Sequence, residues 1–215
     1  MKALLCKELR LATHPTTWIF PWLSALLLVP NYPYLVTFFY TCLGVFFICL
    51  SGRENHDVFY TLSLPVRKRD LVRARFALVV AMQLVQLLLA VPFAFLRQRL
   101  SMPENAVGME ANVALFGFAF ALLGLFNLCF FSIYYRNVQR VGVAFAWSSV
   151  AIGVLIFVEE ACAHVVPLFR DRLDTPDPAY LAEKLVVLGI GALLYILLTA
   201  LALRRSQQLF ARQDL

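Results

Sequence analysis

Three ionisable residues at one end of an apolar stretch have a spacing that could support chemistry. Glu160 and His164 are four positions apart, so they share a face if the stretch is helical, and Glu159 is adjacent to them. A carboxylate beside an imidazole could bind a metal ion or pass on a proton, as in an intramembrane metal-dependent enzyme. Metal sites usually need three or four converging ligands, so the favoured interpretation is a water boundary at the end of a membrane helix.

Other catalytic patterns do not occur in the sequence. A phosphate-binding loop needs Gly-Lys followed by Ser or Thr, and no lysine follows a glycine. Neither HExxH nor GxSxG is present, and the cysteines form no C-x-x-C pair. We therefore expect this chain to catalyse no reaction and to bind no cofactor or metal of its own.

The composition predicts an all-α membrane protein. The chain is 61% hydrophobic and has a mean hydropathy of +0.76, whereas a soluble domain is roughly 45–50% apolar. A spanning helix needs about 20 apolar residues. Four stretches without charged residues have about that length: 76–96, 113–133, 141–158 and 185–203.

A longer uncharged region precedes these four stretches. Residues 11–52 contain no Asp, Glu, Lys or Arg, and a single helix of that length would be about twice as long as the hydrocarbon layer is thick. The sequence Pro30-Asn31-Tyr32-Pro33 within it predicts a turn. We therefore expect a helical hairpin with spans at 16–29 and 34–51, which gives six spans in a single transmembrane domain, 1–215.

The basic residues predict the orientation in the membrane. With six spans both termini lie on one side, and that side carries the large majority of the Lys and Arg residues. The positive-inside rule then places both termini in the cytoplasm. Because the basic residues are divided among four separate segments, the net charge of +6 is a topology signal, and we expect no nucleic-acid partner.

One charged loop, 53–75, lies between the second and third predicted spans. Its acidic start predicts a capped short helix, on which Val58, Phe59 and Leu62 form an apolar face. Pro65 ends this helix, and a basic helix then enters the membrane. The loop could be a surface segment whose arginines contact anionic headgroups, or a helix that docks on a cytoplasmic partner through the Phe59 face.

Polar residues inside the spans allow two interpretations. Gln83, Gln86, Asn127 and Ser148 could line a translocation path, or they could form hydrogen bonds between helices, which is the favoured interpretation. Gly117 and Gly124, seven residues apart, predict close helix packing, with a dimer seam as one possible location.

The loop sequence ENHDVFYTLSLPVRKRDLVRAR resembles a stretch found in the membrane (permease) subunits of ABC-type exporters of the type-2 permease family. The residues that match are Glu54, Asn55, Ser63, Leu64, Pro65, Val66, Lys68, Asp70, Val72 and Arg75. The order of elements is also similar, with a segment like MKxLLxKELR at 1–13 before the first span.

The resemblance implies that 1–13 is an interfacial elbow helix and that the loop contains a cytoplasmic coupling helix, which docks a separate ATPase subunit. The residues expected at that contact are Glu54, Asn55, Asp57, Val58, Phe59, Leu62, Pro65, Arg67, Lys68 and Arg69. ATP and Mg²⁺ would bind to the partner ATPase. A second permease chain and membrane lipid are further expected partners, and the bacterial plasma (inner) membrane is the expected location. A scaffold or immunity-type membrane protein without transport is the other alternative.

Overall fold

The computed structural model describes residues 2–13, 15–100, 102–103 and 105–213, and every regular element in this part of the chain is helical. Met1, the first residue of the predicted elbow, lies outside it. The α-helices are α1 (Lys2–Lys7), α2 (Ile19–Trp22), α3 (Tyr34–Glu54), α4 (Asp57–Leu62), α5 (Lys68–Arg99), α6 (Val113–Tyr134), α7 (Val141–Val165) and α8 (Leu181–Ala211). Shorter helical turns are the π-helices Glu8–Ala12 and Phe169–Leu173 and the 3₁₀-helices Pro15–Trp18 and Leu23–Leu28.

Five helices are long and apolar enough to cross a membrane: α3, α5, α6, α7 and α8, with 21 to 32 residues each. They contain the predicted spans 34–51, 76–96, 113–133, 141–158 and 185–203. The all-α, multi-pass fold is therefore confirmed. Three helices extend well beyond the predicted spans: α5 already begins in the charged loop at Lys68, α7 continues past 158 to Val165, and α8 continues past 203 to Ala211.

The first predicted span, 16–29, is not a long helix. The chain there forms the 3₁₀-turn Pro15–Trp18, the single turn α2 and the 3₁₀-helix Leu23–Leu28. Pro15 and Pro21 each lack the N–H that an α-helix interior needs, which favours short 3₁₀ pieces. This segment packs against α3 and α5, and the Ser24 hydroxyl lies 3.4 Å from the carbonyl oxygen of Gln86.

The hydrophobic core is formed mainly by α3, α5 and α6, and the closest contact between long helices is that of α6 with α8. A Cβ added to Gly117 would lie 2.6 Å from the carbonyl oxygen of Val187, and one added to Gly191 would collide with the backbone of Gly117. The two backbones approach this closely because both positions are glycine. Gly124 faces Tyr195 of α8 in the same way. Both glycines of the predicted seam thus pack within one chain.

Contacts between the loops define two ends of the helical bundle. At one end, here called the α4 end, Lys7 contacts Asp57 and the Lys68 ammonium donates to the carbonyl oxygen of Gln213. The N-terminal segment, α4 and the C-terminus therefore lie together. At the opposite end, Arg97 binds Glu110, and Lys184 is paired with an Asp177 carboxylate that also accepts from the N–H of Val113.

Candidate functional site

The α4 end is built around a short helix held between two long ones. Helix α3 ends at Glu54, and His56 then has a left-handed backbone (φ 50°) that redirects the chain into α4. After Leu62 the chain leaves helical geometry, as expected before Pro65. Arg67 is extended (ψ 135°), and α5 begins at the next residue. The predicted arrangement of a short helix, a break at the proline and a basic helix is thus observed.

An ion cluster below α4 joins three segments of the chain. The Arg75 guanidinium of α5 lies 2.5 Å from Glu8 Oε2 and 2.9 Å from Asp57 Oδ2. The Lys7 ammonium lies 2.6 Å from Asp57 Oδ1 and 3.2 Å from Glu8 Oε1, and it donates to the Thr61 hydroxyl at 2.8 Å. Two carboxylates and two cations thus connect the N-terminal segment, α4 and the start of α5.

The burial of this cluster shows that it is a structural joint. Glu8 is fully buried and Arg75 is 3% exposed, while Lys7 and Asp57 reach the surface with a small part of their side chains. Buried charges need partners of opposite sign, and each of these four has at least two. In the sequence, the signal for this joint is Glu8, a carboxylate that interrupts the apolar arc of Leu5, Leu9 and Ala12. Spacing alone did not identify Arg75 as its partner.

The outward face of α4 carries two aromatic rings. Phe59 is 37% exposed and Tyr60 is 67% exposed. Val58 is buried, and Leu62 packs against the hydrophobic core. The predicted apolar face of Val58, Phe59 and Leu62 is therefore divided, because Val58 and Leu62 face the bundle and only Phe59 faces outward.

The other residues predicted for the contact have varied positions. Asp57 belongs to the ion cluster, and Lys68 is bonded to Gln213 near the C-terminus. The remaining predicted residues are exposed around α4: Glu54, Asn55, Pro65, Arg67 and Arg69. Arg53 donates to the carbonyl oxygen of Gln139 in the α6–α7 loop, so that loop also belongs to this surface.

Comparison with known families identifies the family of the chain. The family model described as ABC-2 family transporter protein matches residues 3–210. The chain belongs to the ABC-2 family of transporter membrane proteins. This confirms the resemblance that the loop motif indicated, and it extends from the N-terminal segment to the end of α8. No curated protein and no solved structure matches the chain.

The polar residues within the spans of this ABC-2 protein are bonded between helices. Gln83 of α5 and Asn127 of α6 exchange two amide hydrogen bonds of 2.8 and 3.0 Å. The Tyr195 hydroxyl donates to the same Gln83 oxygen, and Asn127 donates to Thr199 of α8. All of these contacts are within one chain, which agrees with the favoured interpretation of these residues as interhelical hydrogen bonds.

The two other residues of that set are also buried and bonded. Gln86 donates to the carbonyl oxygen of Thr37 in α3 at 2.7 Å. Ser148 donates within its own helix to the carbonyl oxygen of Ala144. Whether any of these side chains contacts a transported molecule in a larger assembly stays a prediction.

The residues of the possible reactive cluster point in different directions. Glu159 is buried near the end of α7, and Glu160 lies against the backbone of Gly108. His164 is exposed, and its Nε2 lies 3.0 Å from the carbonyl oxygen of Val107. Among the described residues, no three His, Cys, Asp or Glu side chains converge on a point where a metal ion could sit.

Proposed function

We propose that this chain is the permease subunit of an ATP-driven exporter and that it docks a separate cytoplasmic ATPase through α4. The observation that carries the proposal is the pair of exposed rings, Phe59 and Tyr60, on a short helix outside the long spans. Exposed aromatic side chains on a rigid support are the usual anchors of protein interfaces. Membrane components of the ABC-2 family generally pair with an ATPase subunit.

The ion cluster supports a mechanism for this coupling. A docking helix can transmit force only if it moves together with the spans. Asp57 of α4 is bonded to Arg75 of α5, and both are bonded to the N-terminal segment through Glu8 and Lys7. A displacement of α4 by a closing ATPase would therefore move α5 and the N-terminal segment as one body, a form of rigid-body switching. ATP and Mg²⁺ would bind to the ATPase chain.

A sixth crossing by the irregular first segment is part of the proposal. Glu8 contacts Arg75 near the start of α5, whereas Tyr32 accepts a hydrogen bond from Asn105, which follows the end of α5. Between these two points the chain must travel the length of α5. The turns from Pro15 to Leu28 have a combined rise of about 26 Å, close to the thickness of the hydrocarbon layer.

Six crossings support the predicted orientation. The N-terminal segment, the 53–75 loop, the α6–α7 loop and the C-terminus then share the α4 end, and together they hold most of the basic residues. By the positive-inside rule this end faces the cytoplasm, where an ATPase would meet it. The proposed location is the bacterial plasma membrane.

The interior of the bundle favours a dimeric permease. The buried amides of Gln83, Gln86 and Asn127 are engaged within the chain. A path for a transported molecule would therefore form between two permease chains, identical or related. Wide apolar faces of α7 and α8 are exposed and suit contact with lipid and with a second chain.

Affinity purification tests the docking proposal. The tagged chain would be co-expressed with any ABC ATPase encoded beside it, and the Phe59→Asp variant would be compared with the wild type. Leu100→Asp is the matched control, because Leu100 is an exposed apolar residue at the opposite end. We expect the ATPase to co-purify with the wild type and with Leu100→Asp, and to be lost from Phe59→Asp.

The readout separates the proposal from its alternative. Retention of the ATPase by Phe59→Asp would show that α4 is not the docking site. Docking in which ATP hydrolysis never responds to a transported molecule would favour the scaffold or immunity-type protein.

A further inference from the structure

An apolar groove of about 510 Å³ lies at the end of the bundle opposite to α4. Its walls come from the second half of α5, the first half of α6 and the start of α8. Leu87 and Ala94 form part of its buried floor, whereas Leu88, Val91 and Phe95 are among its exposed lining residues. The volume is in the range of sites that enclose small organic ligands.

The position of the groove determines what can enter it. Leu88, Val91 and Phe95 recur at helical spacing along one exposed side of a membrane-crossing helix. The groove is therefore continuous with the surface that contacts lipid chains. Its far end reaches Gln98 and Asp177, at the level where charged residues begin. An occupant would thus have a hydrocarbon part in the groove and a polar part beyond Phe95.

The charges at this polar end favour an anionic headgroup. The guanidinium of Arg99 is exposed and lies over the Phe95 ring, 4.8 Å from its centre. The Asp177 carboxylate is already engaged by the Lys184 ammonium at 3.0 Å and by the N–H of Val113. With Asp177 engaged, the exposed Arg99 guanidinium offers a positive charge beside the groove, and a guanidinium binds phosphate oxygens well.

We propose that this groove binds one acyl chain of an anionic phospholipid from the surrounding bilayer, with the lipid phosphate beside Arg99. Binding needs only this chain and its membrane, so it does not depend on the proposed ATPase contact. The site would hold a lipid in the leaflet at the end opposite to α4.

Photo-labelling of the purified full-length chain in phosphatidylcholine nanodiscs tests the proposal. The probe is a phosphatidylglycerol with a diazirine in one acyl chain, and the comparison probe is a phosphatidylcholine with the same chain. We expect the phosphatidylglycerol probe to label the α5 peptide that contains Leu88 to Phe95 about tenfold more strongly than the comparison probe does.

Three variants test whether the labelling depends on the groove and on Arg99. Val91→Trp fills the groove and should remove labelling of the α5 peptide by both probes. Arg99→Gln should make the two probes equal there. Ile190→Trp places the same bulk on an exposed position of α8 that does not line the groove, and it should leave the labelling unchanged.

Two outcomes would overturn the proposal. If the exposed face of α7 is labelled as strongly as α5, and Val91→Trp has no effect, then α5 carries only ordinary boundary lipid. If α5 is protected from both probes, and a Leu88→Cys variant without other cysteines forms a disulfide between chains, then a second copy of the protein covers the groove.

Discussion

Glu8 and Arg75 show how single residues hold the α4 end together. Each is buried, and the loss of either would leave the other with only one partner of opposite charge. Lys7 and Asp57 extend the pair toward the surface, so the cluster connects the N-terminal segment to α4. Replacement of one member therefore affects the fold more strongly than the loss of one surface ion pair.

Arg75→Met should destabilise the protein by about 3–5 kcal/mol, because it leaves the Glu8 carboxylate buried without its closest cation. Arg73→Met is the matched control. Arg73 is largely exposed and pairs with Asp70 at 3.6 Å, so its loss should have little effect. Thermal unfolding in detergent measures both. Equal effects of the two substitutions would contradict the role of the cluster, and Glu8→Leu added to Arg75→Met should restore part of the lost stability.

The positions of some residues could be predicted from the sequence, whereas their contacts with distant residues could not. Phe59 could be placed on an exposed helix from its motif, and Gln83 and Asn127 could be expected to bond between helices. Arg75 could not be predicted as a partner of Glu8, because the two residues are 67 positions apart in sequence. Helical spacing likewise grouped Val58 and Leu62 with Phe59. In the structure Val58 and Leu62 pack against the core, and only Phe59 is exposed.

Helices α6 and α8 form the most closely packed pair of elements, and glycine makes that contact possible. Both Gly117 and Gly191 face backbone atoms of the other helix, which cannot move aside as the end of a side chain can. The same contact positions Asn127 opposite Thr199 and Tyr195 near Gln83. The polar bonds inside the bundle therefore depend on this approach.

Gly191→Ala should lower the stability by about 1–3 kcal/mol, since the added methyl group would overlap the backbone of Gly117. Gly189→Ala, two residues earlier, should leave the melting temperature unchanged or raise it slightly. A Cβ at Gly189 meets no atom of the described residues within 4 Å, and alanine favours helix. Thermal unfolding of both variants measures the difference. The same loss for both would show that the close approach of Gly191 to Gly117 does not limit the stability at this position.

At the element level, the long uniform spans were predictable and the irregular one was not. Uncharged stretches of about 20 residues identified α3, α5, α6, α7 and α8. Hydrophobicity measures how apolar a segment is but not its backbone geometry. Residues 16–29 are apolar enough to span a membrane. Pro15, just before them, and Pro21, within them, favour short 3₁₀ and α turns over one long α-helix.

The topology of the whole molecule depends on whether this first segment crosses the membrane. Arg10 lies close in sequence to the ion cluster at the α4 end, and Pro30 lies at the opposite end, and both are exposed. We expect a membrane-impermeant maleimide to label a Pro30→Cys variant on intact cells and an Arg10→Cys variant only after permeabilisation, in a background that carries Cys6→Ser. Gln139→Cys, which lies beside Arg53, should behave like Arg10→Cys. Labelling of both first-segment positions from one side would leave only five crossings.

At the scale of the whole molecule, the α4 end connects several distant segments of the chain. Loops distant in sequence meet there through Lys7, Arg53 and Lys68, and the exposed rings of Phe59 and Tyr60 lie on its outer surface. Under the proposed function, the ATPase that ABC-2 membrane components generally pair with would bind to these two rings.

Site-specific photo-crosslinking tests whether α4 is the helix that docks the ATPase. A photoreactive phenylalanine analogue would replace Tyr60, the more exposed ring of α4. The cells would also express any ABC ATPase encoded beside the chain. The same analogue at Leu100 serves as the control. We expect a crosslinked product with the ATPase from position 60 and none from position 100. No crosslink from position 60 in a stable complex, or equal crosslinking from both positions, would contradict the assignment of α4 as the docking helix.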